Sequence, residues 1–76
     1  MPKLVPIRSR MLIKIAERLG FEKRDAEGSH LFFKHPDGRT TVIPNKRKEI
    51  SKGLLRKILN DLQLSVQDYE RLRKKL

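Results

Sequence analysis

Apolar residues recur at helical spacing near the start of the chain, between Ser9 and Gly20. Ser9 belongs to the residue types that cap helix starts, and Gly20 suits the left-handed position that ends a helix. Lys14 and Arg18 fall on the opposite side, which is therefore a wet, basic face. The pattern predicts a helix over residues 9 to about 19 with one buried face. That face is formed by Leu12, Ile15, Ala16 and Leu19.

Two more helices are predicted after position 50. Ser51 is placed to cap the first of them. Ser65, followed three residues later by Asp68, resembles a capping box at the start of the second, which would run to about Lys74. Each helix brings apolar residues to one face. Those residues are Leu55, Ile58, Leu59 and Leu62 in the longer helix, and Tyr69 and Leu72 in the shorter one.

Between the first two helices the apolar pattern changes to alternation, which predicts β-strands. Residues 31–35 and 40–43 are rich in aromatic and β-branched side chains, and residues 36–38 (Pro-Asp-Gly) are typical of a three-residue turn with Gly38 left-handed. Residues 21–25 are predicted as an edge strand, because a two-stranded hairpin alone is only marginally stable. Alternation assigns two faces to the hairpin. The core face holds Leu31, Phe33, Thr41 and Ile43, and the other face holds His30, Phe32, Lys34, Thr40 and Val42.

This order of elements predicts an α+β fold. A three-stranded antiparallel sheet would carry helices on one face, in the order α-β-β-β-α, with a short C-terminal helix added. Residues 1–76 are expected to form a single domain. Within it, residues 1–8 would be an extended lead-in, since Pro2 and Pro6 oppose helix formation, and residues 71–76 would be a basic tail. The chain has no cysteine, so its stability depends on tight helix–sheet packing or on a partner.

The charge of the chain narrows the choice of partners. Lysine and arginine number 19 against 9 aspartate and glutamate residues, and the formal net charge is +10. Such an excess favours a phosphate-rich partner or an acidic protein. The longest apolar runs are three residues, so no segment is expected to span a membrane. Residues 1–10 also lack the apolar core of a signal peptide, and we therefore expect a cytoplasmic protein.

The histidine at position 30 is the first candidate for chemistry. Histidine side chains titrate near neutral pH, so they accept or donate a proton where most side chains cannot. His35 follows five residues later, and in a regular strand the two side chains would face opposite ways, more than ~15 Å apart. This separation argues against a metal site or an acid–base pair made from the two histidines, and no cofactor is predicted. An exposed, inert His30 is the plain alternative.

The residues around His30 resemble the signature of the HicA family, small toxin ribonucleases of bacterial toxin–antitoxin systems. The similarity includes Gly28-Ser29-His30, residues 41–44 (TVIP) and residues 48–59 (KEISKGLLRKIL), and it covers about residues 9 to 70. The resemblance implies a double-stranded-RNA-binding-like fold and a metal-independent endoribonuclease (an mRNA interferase) with His30 as its catalytic residue. It also implies a HicB-type antitoxin that covers the His30 surface, and hence a hetero-oligomer. The substrate would be single-stranded mRNA.

Residues near His30 are candidates for binding the RNA. Gly28 would let the backbone approach a phosphate, and Ser29 offers a hydroxyl and an amide, although an ordinary turn explains both equally well. Phe32 is placed to stack on a base, unless the antitoxin or a helix layer covers it. The candidate phosphate contacts, each of which would otherwise be a solvated charge, are Lys34, Arg39, Lys46, Arg47 and Lys48.

Two features depart from the family pattern. Asp25 and Glu27 stand where many HicA-like sequences carry basic or amide residues, and acidic groups near the scissile phosphate should weaken its binding. Asn45 stands where a histidine often follows the Ile/Val-Pro pair. Protonation of the leaving group would then fall to water, to His30 itself or to Lys46.

Two other functions fit the same composition. A non-catalytic double-stranded-RNA-binding module would share the architecture and charge without needing His30. A structural adaptor would dock on an acidic protein and would not be retained on RNA at physiological salt. Replacing His30 with alanine separates an enzyme from a binding module, because only the enzyme has cleavage to lose.

Overall fold

The computed structural model describes residues 4–76. The elements found there follow the order expected from the sequence. They are α1 (Ser9–Arg18), β1 (Glu22–Glu27), β2 (His30–Lys34), β3 (Thr40–Pro44), α2 (Lys52–Leu62) and α3 (Val66–Lys75). The predicted α+β fold, α-β-β-β-α with a further C-terminal helix, is confirmed. Residues 1–3 of the predicted lead-in lie outside the described residues.

The strands form one antiparallel sheet in the order β1-β2-β3. Its core face is buried under the helices and carries Leu31, Phe33, Thr41 and Ile43. The opposite side, which we call the open face, carries His30, Phe32, Lys34, Thr40 and Val42, none of them fully buried. Both face assignments are confirmed. The open face therefore presents His30 to solvent.

The turn between β2 and β3 has the expected three-residue geometry. The backbone N–H of His35 donates to the carbonyl oxygen of Arg39 (2.8 Å), and the N–H of Gly38 donates to the carbonyl oxygen of His35 (2.9 Å). Gly38 is left-handed, with φ at 101°. This turn fixes the register of β2 on β3, and with it the side chains that share each face of the sheet.

The core lies between the sheet and the helices. The predicted helix stripes are buried at Leu12, Ile15, Ala16, Leu55, Ile58, Leu59, Leu62 and Tyr69. Leu19 and Leu72 are only partly buried. Phe21 is also buried, although it lies outside any strand. One continuous apolar cluster thus joins the helices to β2 and β3.

The lead-in contributes to the core more than its two prolines suggest. Leu4 and Ile7 are buried. The backbone N–H of Ile50 donates to the carbonyl oxygen of Ile7 (2.8 Å), which holds the lead-in beside the start of α2. The Tyr69 hydroxyl donates to the carbonyl oxygen of Val5. The described part of the lead-in is therefore packed between α2 and α3.

The first strand begins and ends later than predicted. We expected residues 21–25, whereas β1 spans Glu22–Glu27. The backbone N–H of Phe21 donates to the carbonyl oxygen of Ala16 (3.0 Å), so Phe21 completes the end of α1 rather than starting a strand. The strand then continues to Glu27, because the turn to β2 takes only two residues.

The prediction that Ser9 caps α1 is wrong. Arg8 occupies the N-cap position, and its side chain makes no capping hydrogen bond. Ser9 is the first helical residue and is buried. Its hydroxyl accepts from the backbone N–H of Arg47 (3.0 Å), and its own N–H donates to the carbonyl oxygen of Arg47 (3.0 Å). The Ser9 hydroxyl, which the sequence predicts to cap α1, is therefore hydrogen-bonded to a loop that is distant in sequence.

The other two predicted caps are confirmed. The Ser51 hydroxyl accepts from the backbone N–H of Leu54 (3.4 Å) at the start of α2. The Ser65 hydroxyl accepts from the backbone N–H of Asp68 (3.1 Å) at the start of α3. Helix α3 continues to Lys75, one residue beyond the expected end, so most of the predicted basic tail is helical.

Candidate active site

His30 is the first residue of β2 and lies on the open face, exposed. Its neighbours across the sheet are Glu27 on β1 and Pro44 on β3. Within residues 4–76, no side chain or backbone group hydrogen-bonds to the His30 imidazole. Its two ring nitrogens are therefore available to a ligand.

The turn before His30 is the tightest in the sheet. Glu27 pairs directly with His30, so the loop between β1 and β2 consists of Gly28 and Ser29 alone. Gly28 has φ at 59°, and a Cβ built on it would meet no atom within 4 Å. Backbone conformation therefore explains this glycine. The open space beside it also leaves the backbone accessible to a bound phosphate.

The turn is joined to the loop that follows β3. The backbone N–H of Asn45 donates to the carbonyl oxygen of Ser29 (2.6 Å). Two residues later, Arg47 exchanges backbone and hydroxyl hydrogen bonds with Ser9 at the start of α1. Lys46, between them, is left-handed with φ at 61°. The loop over residues 45–48 is thus held at two points, beside His30 and beside α1.

A cleft of about 450 Å³ adjoins His30. It runs along the outer edge of β3 and is bounded on the other side by α2. Arg47 from the loop and Lys57 from α2 bring two positive charges to it. Asp61 is the carboxylate at the far end, and it accepts a hydrogen bond from the Thr41 hydroxyl (3.1 Å). We call this the His30 cleft. Two cations and His30 among its lining residues give the cleft a character that suits a phosphate.

Lys57 was not among the residues singled out from sequence. Helical periodicity places it on the exposed side of α2, and nothing local indicates that this side adjoins β3. Arg47 was singled out only as one of three adjacent basic residues. The packing of α2 beside β3 is what brings Arg47 and Lys57 to the same cleft as His30.

Phe32 and Lys34 occupy a separate part of the open face. With Arg24 they line a shallow depression of about 340 Å³ over β3. Phe32 is half-buried and Lys34 is exposed. Arg24 reaches this position because the register of β1 on β2 shifts between Lys23 and Asp25. The depression combines one aromatic ring with two cations, and such a surface binds a stacked base next to a phosphate.

Arg39 is engaged by the protein. Its Nε donates to Asp37 Oδ2 (2.8 Å), and its Nη1 donates to the carbonyl oxygen of Leu62 (2.6 Å). The guanidinium also lies 5.2 Å from the centre of the Phe21 ring. In return, the backbone N–H of Arg39 and then its side chain lower the pKa of the Asp37 carboxyl. These contacts account for Arg39 as part of the fold, and its role as a phosphate contact stays a prediction.

Acidic residues share the face of His30. The register places Asp25 opposite Phe32 and Glu27 opposite His30, so both carboxylates lie on β1 beside the candidate site. The acidic residues that depart from the family pattern are therefore close enough to influence an anion bound at His30.

No metal-binding cluster is found in the described residues. Between positions 4 and 76, no three histidine, cysteine, aspartate or glutamate side chains are close enough to hold a metal ion. In the same part of the chain, no helix is long and apolar enough to cross a bilayer.

The fold and the site define a class of protein: a small, basic α+β domain with an exposed histidine at the edge of a cationic cleft. The family model described as "HicA toxin of bacterial toxin-antitoxin" matches residues 9–64, more than half of the chain. The chain therefore belongs to the HicA toxin family and is a toxin of a bacterial toxin–antitoxin system, for which a cognate antitoxin is the expected partner. A comparison with curated proteins gives no match. The family match includes the turn, His30, the loop over residues 45–48 and α2.

Proposed function

We propose that this toxin is an endoribonuclease that cleaves mRNA, with His30 as its general acid or base. One observation carries the proposal: the exposed His30 imidazole, without a hydrogen-bond partner in residues 4–76, adjoins a cleft lined by Arg47 and Lys57. A histidine within reach of a bound phosphate can carry out the proton transfer that RNA cleavage requires. Membership of the HicA family, whose members are known as mRNA interferases, supports the same activity.

The proposed reaction uses the 2′-hydroxyl of the RNA as nucleophile. His30 removes the proton of that hydroxyl, and the oxygen attacks the adjacent phosphorus. The bond from phosphorus to the 5′-oxygen of the next nucleotide breaks, which leaves a 2′,3′-cyclic phosphate and a 5′-hydroxyl. A positioned histidine typically contributes ~10²–10⁴-fold to such a step. Since side chains supply the chemistry, the reaction is proposed to be metal-independent.

The cations of the His30 cleft have two proposed roles. Arg47 holds the non-bridging phosphate oxygens, on which negative charge increases in the transition state. Lys57 lines the same cleft and is the candidate that we propose to protonate the leaving 5′-oxygen. Lys46, the candidate named from sequence, lines a different groove, described below. Water and His30 itself remain alternatives to Lys57 for this proton.

The remaining substrate contacts are proposed around the same face. Gly28 and Ser29 present open backbone beside the scissile phosphate. Phe32 would stack a neighbouring base, and Lys34 would bind the phosphate next to it. Lys48 belongs to the groove described below. Arg39 is left out of the proposed set, because its guanidinium already donates to Asp37 and Leu62.

We propose that the antitoxin neutralises the toxin by covering its candidate active site. A HicB-type antitoxin that docks on the open face would bury His30 and exclude RNA, and its acidic groups would complement the cations there. The toxin and the antitoxin would form a hetero-oligomer. We further propose that the toxin acts in the cytoplasm, where mRNA is found.

The test compares the purified chain with His30→Ala on a defined single-stranded RNA, with chelator present throughout. We expect cleavage by the unaltered protein, a 2′,3′-cyclic phosphate on the product, and loss of ~10²-fold or more in rate with His30→Ala. Lys74→Ala, an exposed change on α3, is the matched control. A substrate with a single 2′-deoxy position at the cleavage site should resist.

Other outcomes assign the chain differently. Tight RNA binding without cleavage by either protein would favour the non-catalytic RNA-binding module. Cleavage by both proteins would keep the enzyme and reject His30. Cleavage that stops with chelator would reject the metal-independent mechanism.

A further inference from the structure

A second groove lies beside the His30 cleft, between helix α1 and the loop over residues 45–48. Its volume is about 560 Å³, larger than that of the His30 cleft. We call it the α1 groove. Glu17 is the one carboxylate among the described residues that line it. The cations that line it are Arg8, Arg10, Lys14, Lys46, Arg47 and Lys48.

These six cations have no partner in the described protein. Within residues 4–76, none of them forms an ion pair or a side-chain hydrogen bond. Three arginines outside the groove form ion pairs, namely Arg39 with Asp37, Arg71 with Asp68 and Arg73 with Glu70. The distinguishing feature of the groove is therefore that six cations without an ion pair in residues 4–76 line one space. Six unpaired positive charges around one groove repel one another, and a bound polyanion relieves that repulsion.

The groove is held in shape by backbone contacts. Arg47 is fixed to Ser9 through two hydrogen bonds, and Ser9 is buried. Lys46 adopts φ at 61°, a conformation that a lysine rarely takes without support from its surroundings. These contacts tie the loop, which is one wall of the groove, to the start of α1, which is the other. A partly buried apolar side chain, Ile13, lies between the cations.

Arg47 joins the two sites, because it lines both the α1 groove and the His30 cleft. An RNA strand cut at His30 continues on at least one side of the scissile phosphate. The route across Arg47 leads it from the His30 cleft into the α1 groove, which six cations line. Ile13 offers an apolar contact for a base along that route.

We infer that the α1 groove is a phosphate-binding subsite for the single-stranded RNA that flanks the cleavage point, with Arg8, Arg10 and Lys14 as its newly assigned residues. This inference rests on the proposed ribonuclease function. Its specific content is that the phosphates beyond the scissile one bind to α1. An acidic segment of the antitoxin is the competing occupant, and the continuity through Arg47 favours RNA.

The test replaces Arg8, Arg10 and Lys14 together with glutamine. The matched control replaces Arg71, Lys74 and Lys75 with glutamine, which removes the same charge from α3 outside the groove. Cleavage is measured on RNAs of about 4 and about 16 nucleotides, the shorter filling only the His30 cleft. Binding is measured by fluorescence anisotropy on the longer RNA in a His30→Ala background, and thermal unfolding verifies that each variant folds.

We expect the α1 variant to lose roughly ten-fold in its preference for the long RNA over the short one, with the control close to the parent. The log–log salt dependence of binding should become shallower by about 0.7 for each phosphate contact removed. If the α1 variant and the α3 control lose this preference equally, the effect comes from net charge rather than from the position of the cations. That result would overturn the proposed subsite.

The outcomes separate this inference from the proposed function. If no protein cleaves RNA, the ribonuclease fails, yet the binding assay still decides whether the groove takes RNA. If the α1 variant cleaves and binds long RNA like the parent, the subsite is rejected. If in addition that variant binds the antitoxin more weakly than the control does, the groove belongs to the protein partner.

Discussion

The Nε2–H of His35 donates to the carbonyl oxygen of Leu19 (2.9 Å), which joins the β2–β3 turn to the end of α1. Since a carbonyl oxygen only accepts, Nε2 carries the hydrogen. Nδ1 lies 3.1 Å from the backbone nitrogen of Asp37, from whose N–H a neutral ring accepts, and 3.0 Å from Asp37 Oδ1, to which a protonated ring donates. The ring also meets Phe21 edge-on, with centroids 5.1 Å apart. Of the two histidines, His35 is therefore engaged in the fold and His30 is open to a ligand.

His35→Ala should destabilise the protein without removing its chemistry. The change deletes a hydrogen bond and an aromatic contact, which together contribute about 2 kcal/mol. For a domain of this size, the melting temperature should fall by about 10 °C. The measurement is thermal unfolding by circular dichroism, followed by RNA cleavage at a temperature where the variant is fully folded. Complete loss of cleavage there would show that His35 takes part in the reaction.

Gly20→Ala should be costly for two separable reasons. Gly20 has φ at 98°, and an added Cβ would lie 3.0 Å from Nε2 of His35. We expect a loss of more than about 2 kcal/mol in the free energy of unfolding. In a His35→Ala background the close contact between the new Cβ and the imidazole is absent, and only the backbone strain remains. Gly20→Ala should therefore lower the free energy of unfolding by less in that background. A double-mutant cycle by urea unfolding measures the difference, and strict additivity would contradict the contact.

Ser9→Ala and Ser65→Ala should differ in their effect on function. Each removes a hydroxyl that accepts from a backbone N–H, but Ser9 is buried and holds Arg47, whereas Ser65 caps α3. We expect a loss of about 1–3 kcal/mol for Ser9→Ala and about 1 kcal/mol for Ser65→Ala. RNA cleavage should fall roughly ten-fold only in Ser9→Ala, because the loop that carries Arg47 is no longer fixed. Equal cleavage by the two variants would contradict that coupling.

Tyr69→Phe should change how stability depends on alkaline pH. Burial raises the pKa of Tyr69 from 10.0 to about 12, while the charge of Arg73 lowers it and that of Glu70 raises it. Between those values the unfolded chain is ionised at this position and the folded chain is not. The contribution of Tyr69 is therefore present below pH 10 and is lost as the pH rises towards 12. Tyr69→Phe should cost about 1 kcal/mol at neutral pH, through the hydrogen bond to Val5. The difference in unfolding free energy between the two proteins should shrink above pH 10; a constant difference would reject the shift.

Glu27→Gln should improve RNA cleavage at low salt. Glu27 is the cross-strand neighbour of His30, and its charge repels a phosphate bound there. Removing that charge is worth less than about 1 kcal/mol at a solvated site, so kcat/KM should rise about 3-fold. The gain should vanish as salt screens the charge. Asp68→Asn, at an exposed carboxylate in the first turn of α3 and away from the open face, is the matched control. An equal gain in both variants would point to net charge rather than position.

Features set by neighbours in sequence were predictable. The residues at 36–38 determine the β2–β3 turn, and Ser51 and Ser65 cap helices that begin immediately after them. Alternation in β2 and β3 then placed His30 on the face away from the core. Each of these depends on interactions within a few residues, which a single sequence displays directly.

Features set by packing were not predictable in the same way. Serine is a common helix-capping residue, yet the Ser9 hydroxyl accepts a hydrogen bond from the backbone N–H of Arg47, which is distant in sequence. Lys57 and Arg10 are exposed residues of two different helices. Lys57 lines the His30 cleft and Arg10 lines the α1 groove, and Arg47 lines both. This arrangement depends on how the helices pack beside β3 and the loop. Nothing in their own segments distinguishes them from the other cations of the chain. The catalytic candidate was therefore visible in the sequence, while the cationic surroundings required the fold.

The bond between Asn45 and Ser29 is made entirely by backbone atoms. The side chain at position 45 is consequently not needed to hold the loop beside His30, and substitution there leaves the geometry of the site intact. The asparagine found here, where the resemblance to the family leads us to expect a histidine, is therefore expected to leave the path of the loop unchanged. Proline is the exception, since it has no N–H to donate. Position 45 should therefore accept any side chain other than proline without loss of this hydrogen bond.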